Sequence, residues 1–214
     1  HIGRGNIMKT TLLLVRHGET EWNKLGKFQG CTDIELSKDG INQAENLKLK
    51  LNEEFDVIYS SPLKRAYETA KILAKDTDKD ITILEDIREI NFGEWEGLTI
   101  SQISEKYPEI FKVWRTDKKE APFVGGDAST KNAVNRALRC IIDIIKKHKG
   151  EKIVIVAHGG IIKAALIGLF NWDMSMYHKI ALGNTCINTV TFDDEMKPTI
   201  IGINDTSHLN ENVK

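Results

Sequence analysis

The chain alternates between short, continuously apolar runs and longer segments with helical spacing. Strands are predicted at 10–17, 55–61, 80–84, 151–160, 187–192 and 199–203. Helices are predicted over 37–51, from Pro62 to about 75, over 128–149 with Gly150 as the closing residue, and after Gly160. This alternation favours an α/β fold, a three-layer sandwich in which a mostly parallel central sheet carries helices on both faces.

The segment from 85 to 126 lacks a clear period. It contains a capping box, TISQ at 99–102, two prolines and a glycine pair. We expect residues 99–129 to cover a binding pocket, and we expect Trp95, Trp114 and Phe123 to pack inside the protein rather than to stack on a substrate. No linker or repeat divides the sequence. We therefore predict a tail or cloning remnant over 1–8, a single domain over 9–209 and a C-terminal tail over 210–214.

Composition narrows the classes of partner. The 214 residues are 41% hydrophobic and 29% charged, as in globular proteins, and the net charge is -1. Nucleic-acid and membrane surfaces favour a cationic excess, so neither is expected as a partner. The longest apolar run, at 161–170, is interrupted by Lys163, and three scattered cysteines favour reduced thiols. A cytoplasmic protein is predicted, and the oligomeric state is left open.

Charged and imidazole side chains stand where the predicted strands end. Arg16 and His17 close the first strand, and Arg65, Glu89 and His158 follow later strands. The carboxyl ends of parallel strands meet at the edge of the sheet where ligands bind. Two arginines and two histidines at one edge suit an anion, because guanidinium groups match phosphate oxygens and a helix N-terminus offers free N–H groups. The sequence therefore predicts a phosphate site.

Two other kinds of site are disfavoured by the same residues. The HGG segment at 158–160 is also typical of an oxyanion hole in serine hydrolases, but the chain has no G-x-S-x-G motif. The carboxylates do not cluster as metal ligands do, and the cysteines and histidines lack ligand spacing. We expect neither a metal nor a cofactor.

Several motifs together resemble the histidine phosphatase superfamily, in its phosphoglycerate mutase-like branch. The matching blocks keep the family's order over nearly the whole chain from Lys9: LVRHGETEWN at 14–23, QG at 29–30, LSKDG at 36–40, QA at 43–44, YSSPLKRA at 59–66, REINFGEWEG at 88–97, AHGG at 157–160 and Asn188.

The resemblance implies a role for each site residue. His17 would be the nucleophile that takes up the phosphoryl group, and Glu89 would be the proton donor. The transferring phosphate would be bound by Arg16, Arg65 and His158, which also belong to the catalytic set. The substrate site would be completed by Asn23 and the Gln29–Gly30 turn, which would line the pocket, and by Gly159. A neutral imidazole has to attack, so we expect the other nitrogen of His17 to be held by a backbone carbonyl. Glu89 has to donate a proton to the leaving oxygen and then, ionised, to activate water.

The resemblance implies a metal-independent phosphatase that hydrolyses small phosphomonoesters, of the broad-specificity or α-ribazole type. The alternative is a 2,3-bisphosphoglycerate-dependent phosphoglycerate mutase that uses the same histidine. A phosphate-binding regulatory module without turnover is disfavoured because both the histidine and the donor are present. The substrate stays open among sugar phosphates, phosphoglycerate, α-ribazole phosphate and phosphoserine. Asp127 departs from the glutamate of many relatives, and we expect it to cap the helix that follows.

Overall fold

The centre of the computed structural model, which describes residues 8–209, is a six-stranded sheet. Apart from Met8, the predicted tails lie outside the described residues. In chain order the strands are β1 (Thr10–Arg16), β2 (Val57–Ser60), β3 (Ile81–Ile83), β4 (Lys152–Ala157), β5 (Ile187–Phe192) and β6 (Pro198–Asp205), and their order in the sheet is β3-β2-β4-β1-β5-β6.

Strand direction divides the sheet into two parts. Strands β3, β2, β4 and β1 are parallel, whereas β5 is antiparallel to β1 and β6 is antiparallel to β5. The mostly parallel sheet predicted from the sequence is confirmed. Strands β5 and β6 are joined by a short turn at 193–197. A parallel pair would need a much longer crossover connection, so β6 runs antiparallel to β5.

Helices cover both faces of the sheet. In chain order the described helices are α1 (Glu21–Lys24), α2 (Lys38–Leu51), α3 (Lys64–Ala74), α4 (Ile100–Lys106), α5 (Pro108–Thr116), α6 (Thr130–Lys147) and α7 (Gly159–Phe170). In β1, Leu12 and Leu14 pack into the core that contains α6 and α7, and Leu13 and Val15 pack into the core that contains α2 and α3. This period-two alternation produces the predicted three-layer sandwich. Within residues 8–209, no helix is long and apolar enough to cross a membrane.

Two predicted helices begin later than the sequence indicates. Helix α3 begins at Lys64 rather than at Pro62, because the Ser61 hydroxyl accepts a hydrogen bond from the Leu63 N–H and extends the turn. Helix α6 begins at Thr130 rather than at 128, because Ser129 is its N-cap. It also ends at Lys147, so Gly150 lies beyond the helix end, in the turn that leads to β4.

The segment without a clear period contains more structure than predicted. Short 3-10 turns form at Glu85–Ile87 and Gly93–Trp95, and the capping box at Thr99 and Gln102 starts α4 as expected. Trp95, Trp114 and Phe123 are buried, with 0%, 3% and 5% of their surfaces exposed. Their rings contact one another, so the predicted packing role is confirmed.

Candidate active site

The carboxyl ends of β1, β4 and β2 lie side by side and bring distant residues together. The His17 N–H donates to the Ala157 carbonyl oxygen at 3.0 Å, which joins the end of β1 to the end of β4. On the other side of β4, the Ser61 N–H donates to the Val156 carbonyl oxygen at 3.0 Å. Three adjacent strands therefore deliver His17, His158 and Ser61 to one edge of the sheet.

The His17 imidazole is buried, with 2% of its surface exposed, and its orientation is fixed by its own neighbour. Its Nδ1 lies 2.6 Å from the Gly18 carbonyl oxygen. A carbonyl oxygen only accepts, so we assign the proton to Nδ1, which leaves the Nε2 lone pair unprotonated. Burial, followed by the charges of Arg65 and Arg16, lowers the pKa of His17 well below its usual range. The imidazole is therefore neutral at physiological pH.

The glycine after His17 is required by a close approach of two backbones. A Cβ at Gly18 would lie 2.5 Å from the Gly40 carbonyl oxygen, near the start of α2. Backbone atoms cannot move aside as the end of a side chain can. The Gly18 N–H also donates to the Thr69 hydroxyl at 3.0 Å on α3. These contacts explain why the RHG and KDG motifs occur together in the sequence.

Arg16 and Arg65 are the arginines of the site, and backbone carbonyls hold both guanidinium groups. Arg65 is fully buried and donates to the carbonyl oxygens of Thr32 at 2.7 Å and Gly30 at 2.6 Å. Arg16 donates through Nη1 to the Leu182 carbonyl oxygen. The Nε atoms of both arginines are buried and have no hydrogen-bond partner within residues 8–209. Both Nε–H groups therefore remain available as donors to a ligand.

His158 is fully buried and packs beside His17, with the ring centroids 5.1 Å apart. Its Nε2 lies 2.7 Å from the Ser61 hydroxyl, and its Nδ1 has no partner in the described part of the chain. Burial, followed by the charge of Arg65, lowers the pKa of His158 well below its usual range. Gly159 lies against Arg16, since a Cβ at this position would be 3.3 Å from the arginine Nε.

Glu89 occupies the N-terminus of α7, where the sequence predicted free N–H groups for phosphate. Its Oε1 accepts from the N–H groups of Ile90 and Ile161, both at 2.9 Å, and its Oε2 accepts from the Gly160 N–H at 3.1 Å. The expectation that these N–H groups face the ligand is therefore wrong for Gly160 and Ile161. A carboxylate at a helix N-terminus is favoured by the helix dipole, and here it orients Glu89 towards the site.

The second glycine of the HGG segment gives Glu89 its place. A Cβ at Gly160 would lie 2.7 Å from the Glu89 Oε1 and 2.7 Å from the Tyr177 hydroxyl. Both atoms are side-chain ends, so they can move aside without disrupting the fold. We therefore expect Gly160→Ala to fold normally but to displace the Glu89 carboxylate and lower kcat/KM for alkyl phosphates roughly 10²-fold or more.

Thermal unfolding and steady-state kinetics of Gly160→Ala test this expectation. Gly168→Ala adds the same methyl group to α7 away from Glu89, where its Cβ would lie 3.1 Å from the Leu138 Cβ on α6, so this control is expected to lose melting temperature but to keep its activity. A Gly160→Ala protein with unchanged melting temperature and full activity on alkyl phosphates would show that the carboxylate position is unimportant.

Thr20 organises the polar loop on the other side of His17. Its hydroxyl donates to the Gln29 Oε1 at 2.6 Å, and its N–H donates to the Asn23 Oδ1 at 2.9 Å. Thr20 also caps α1 through the Asn23 N–H. Both amide oxygens thus accept hydrogen bonds from Thr20, so the amide nitrogens of Asn23 and Gln29 are left to contact other groups. Asn23 and Gln29 line the same pocket as His17, as does Gly30.

Asp127 does not cap α6, contrary to expectation, because Ser129 takes that position. Instead its carboxylate forms a buried ion pair with Arg136, with a closest N–O distance of 2.9 Å, and accepts from the Asn91 N–H at 2.8 Å. Arg136 lies on α6, so the pair connects this helix to the loop after β3.

The Asp127–Arg136 pair fixes the loop that carries Glu89. Arg136 donates through Nη1 to the carbonyl oxygens of Asp86 at 2.8 Å and Arg88 at 2.9 Å, before Glu89. Asp127 holds the backbone N–H of Asn91, after Glu89. The backbone is therefore held on both sides of the carboxylate by charge-assisted hydrogen bonds.

The pocket has a volume of about 240 Å³. That is below the range of roughly 300–1,000 Å³ for drug-sized ligands, and it suits a small metabolite. Most of the predicted site residues line this pocket: Arg16, His17, Asn23, Gln29, Gly30, Arg65 and Glu89. The other two contact lining residues, His158 through His17 and Gly159 through Arg16.

The pocket also contains residues that the sequence analysis did not select. These are Lys27, Phe28, Phe92, Ile100, Lys163 and Tyr177. Ile100 is the one lining residue from 99–129, so the expectation that this segment covers the pocket is wrong for most of its length. Lys163 was detectable as the charge that interrupts the apolar run at 161–170.

Comparison with known proteins agrees with the site. A model of the histidine phosphatase superfamily (branch 1) matches residues 12–206. Phosphoserine phosphatase 1 of Hydrogenobacter thermophilus is 35% identical over 201 residues, which cover 94% of each chain. A metal-independent phosphoserine phosphatase of Arabidopsis thaliana is 33% identical over 203 residues, 94% of this chain and 83% of that protein.

Solved structures give the same result. Crystal structures of a phosphoserine phosphatase from Entamoeba histolytica, one of a mutant with phosphoserine and one with 3-phosphoglyceric acid, each align with a TM-score of 0.88 at 40% identity. The alignment covers 94% of this chain and 100% of that chain. The chain belongs to the histidine phosphatase superfamily.

Proposed function

We propose that the protein hydrolyses small phosphomonoesters in two steps, through a phosphohistidine on His17. The observation that carries the proposal is the contact between the His17 Nδ1 and the Gly18 carbonyl oxygen, which leaves Nε2 as a neutral nucleophile beside the fully buried Arg65 and the partly buried Arg16. The prediction of a phosphoric monoester hydrolase is confirmed by the phosphatases among its relatives.

In the first step, the His17 Nε2 attacks phosphorus in line with the leaving alcohol. The N–P bond forms as the P–O bond to the alcohol breaks, and charge on the phosphoryl oxygens is stabilised by Arg16, Arg65 and His158. The buried Nε atoms of both arginines and the Nδ1 of His158 support this role, because each is without a partner in residues 8–209.

Glu89 supplies the proton that the leaving oxygen needs. Its Oε1 accepts two N–H groups and its Oε2 accepts one, so Oε2 keeps the capacity to carry a transferable proton. The proton moves from Oε2 to the leaving oxygen as the P–O bond breaks. The alcohol departs and Glu89 becomes ionised.

In the second step, water attacks the phosphohistidine. The ionised Glu89 takes a proton from that water, the N–P bond breaks, and inorganic phosphate and neutral His17 are released. Asn23, Gln29, Gly30 and Gly159 complete the proposed binding site by lining it or by placing Arg16. No step requires a metal ion, since Arg16 and Arg65 supply the positive charge beside His17.

Phosphoserine is the first candidate substrate, because the relatives described above include phosphoserine phosphatases. The three free cysteines are compatible with a cytoplasmic location, which stays a prediction.

The test of the proposed function is phosphate release from a panel of phosphate esters in the presence of EDTA. Release from at least one small phosphomonoester is expected. Activity that disappears on chelation and returns with magnesium, manganese or zinc would contradict the proposed mechanism.

The mutase alternative differs in the fate of the phosphohistidine. A mutase has to protect it from water and bind a bisphosphate, which calls for a second set of phosphate ligands. Beyond the two arginines, the pocket lining in the described residues offers only two further cations, Lys27 and Lys163, for the second phosphate that a mutase has to bind.

We therefore expect 3-phosphoglycerate, with traces of the bisphosphate, to yield inorganic phosphate and little 2-phosphoglycerate. Both products are followed in one reaction. Rapid isomerisation with negligible phosphate release would assign the protein to the mutases and leave the His17 chemistry unchanged.

A further inference from the structure

Lys163 places a cation in the pocket that the two-step mechanism does not use. It lies on α7, one turn after the glycine pair, and it lines the same pocket as His17 and Glu89. Its Nζ lies 4.9 Å from the centroid of the Tyr177 ring. Among residues 8–209, no carboxylate lies within ion-pair distance of Lys163.

The environment of Lys163 is costly for a charge without an anionic partner. Burial, followed by the charge of Arg16, lowers its pKa, and Glu89 opposes this effect. The Tyr177 ring, itself buried, stabilises the ammonium group through a cation–π contact and fixes its position. A carboxylate that entered the pocket would find this cation oriented and partly desolvated, which strengthens an ion pair.

The charge balance of the pocket leaves a place for such a carboxylate. Four cations line it, Arg16, Lys27, Arg65 and Lys163, against the single carboxylate of Glu89. A phosphate dianion and Glu89 together carry less negative charge than these four cations carry positive charge. A substrate with one further anionic group therefore complements the pocket better than a neutral phosphate ester does.

The position of Lys163 indicates which part of the substrate it meets. The phosphate end of the pocket lies at His17 and His158, whose ring centroids are 5.1 Å apart. The Lys163 Nζ lies over the Tyr177 ring, and the Tyr177 hydroxyl and the Glu89 Oε1 both lie 2.7 Å from the point that a Cβ would occupy at position 160, so Lys163 and Glu89 flank the same tyrosine. Because the proton donor has to lie beside the leaving oxygen, a cation on the Glu89 side faces the alcohol portion of the ester.

We propose that Lys163 binds a carboxylate on the alcohol portion of the substrate and so makes phosphorylated hydroxy acids the preferred substrates. This proposal rests on the phosphatase function proposed above. The structural basis is the juxtaposition of Lys163, Tyr177 and Glu89 on the leaving-group side of one pocket.

The test compares two esters that differ by one carboxylate, O-phosphoserine and O-phosphoethanolamine. Wild-type protein is expected to prefer O-phosphoserine in kcat/KM. In Lys163→Met, which removes the ammonium group and keeps the rest of the unbranched side chain, this preference is expected to fall about ten- to hundredfold, mainly through KM. Lys163→Arg is expected to retain most of the preference.

Lys71→Met is the matched control. The Nζ of Lys71 lies 5.1 Å from the centroid of the Tyr67 ring, so it makes the same kind of contact outside the pocket. This variant is expected to keep the wild-type kcat/KM on both esters.

Two results would overturn the inference about Lys163. The first is an equal loss on both esters in Lys163→Met, which would indicate a structural or general electrostatic role. The second is a wild-type protein that hydrolyses both esters equally well. Failure of the proposed function gives a different result, because wild-type protein would then release no phosphate from any member of the ester panel.

Discussion

Replacement of His17 by asparagine is expected to lower kcat/KM at least about 10⁴-fold on every phosphate ester, because it removes the group that forms the covalent bond. Asparagine suits this test because its amide can donate to the Gly18 carbonyl oxygen that the imidazole contacts at 2.6 Å. The measurement is steady-state phosphate release from p-nitrophenyl phosphate and O-phosphoserine.

Binding of inorganic phosphate separates loss of the nucleophile from loss of the site. Arg16 and Arg65 keep their carbonyl contacts in the variant, so calorimetry is expected to show phosphate binding within about tenfold of wild type. Activity within tenfold of wild type in His17→Asn would exclude His17 as the nucleophile.

The same imidazole sets how the activity of the wild-type protein depends on pH. Burial and the two arginines lower the pKa of His17 well below its usual range, so the nucleophile stays neutral, and able to attack phosphorus, as the pH falls through that range. Protonation below the lowered pKa removes the lone pair that attacks phosphorus.

The second large effect concerns Glu89. Replacement by glutamine is expected to lower the first-turnover rate on alkyl phosphates roughly 10²–10⁴-fold, the usual contribution of general acid–base catalysis. The first chemical step with p-nitrophenyl phosphate is expected to keep its wild-type rate, because nitrophenolate leaves without a proton. Rapid-mixing measurements of the first turnover compare the two substrates directly.

Glu85→Gln is the control for Glu89→Gln. Glu85 is exposed and lies in the same loop, four residues before Glu89. It is expected to behave as wild type on both substrates. Equal losses on alkyl and aryl phosphates in Glu89→Gln would rule out the acid role and leave Glu89 as a residue that only positions the N-terminus of α7.

The strands and the histidine cluster could be predicted because their signals are local. Three buried apolar runs, β1, β2 and β4, end in polar residues, and parallel strands place those ends at one edge, so Arg16, His17 and His158 could be expected together. The roles of Glu89, Asn23 and Gln29 came from the resemblance to a family, since no periodicity distinguishes one carboxylate or amide from another.

Other features depend on contacts between distant residues and could not be read from the sequence. The Gly160 and Ile161 N–H groups bind Glu89 because the loop after β3 folds over α7. Asp127 does not cap α6 because Arg136, further along that helix, and the Asn91 N–H offer its carboxylate three hydrogen bonds. Ala128 has a positive φ, which no helical pattern indicates, and it delays the start of α6.

The most direct test of the central claim is capture of the intermediate. Protein is mixed briefly with ³²P-labelled substrate and quenched in alkali, which preserves phosphohistidine, and its peptides are then mapped. The account predicts one labelled peptide, the one that contains His17, and no label on that peptide in His17→Asn. Label on the peptide that contains His158, or full turnover without any labelled peptide, would contradict it.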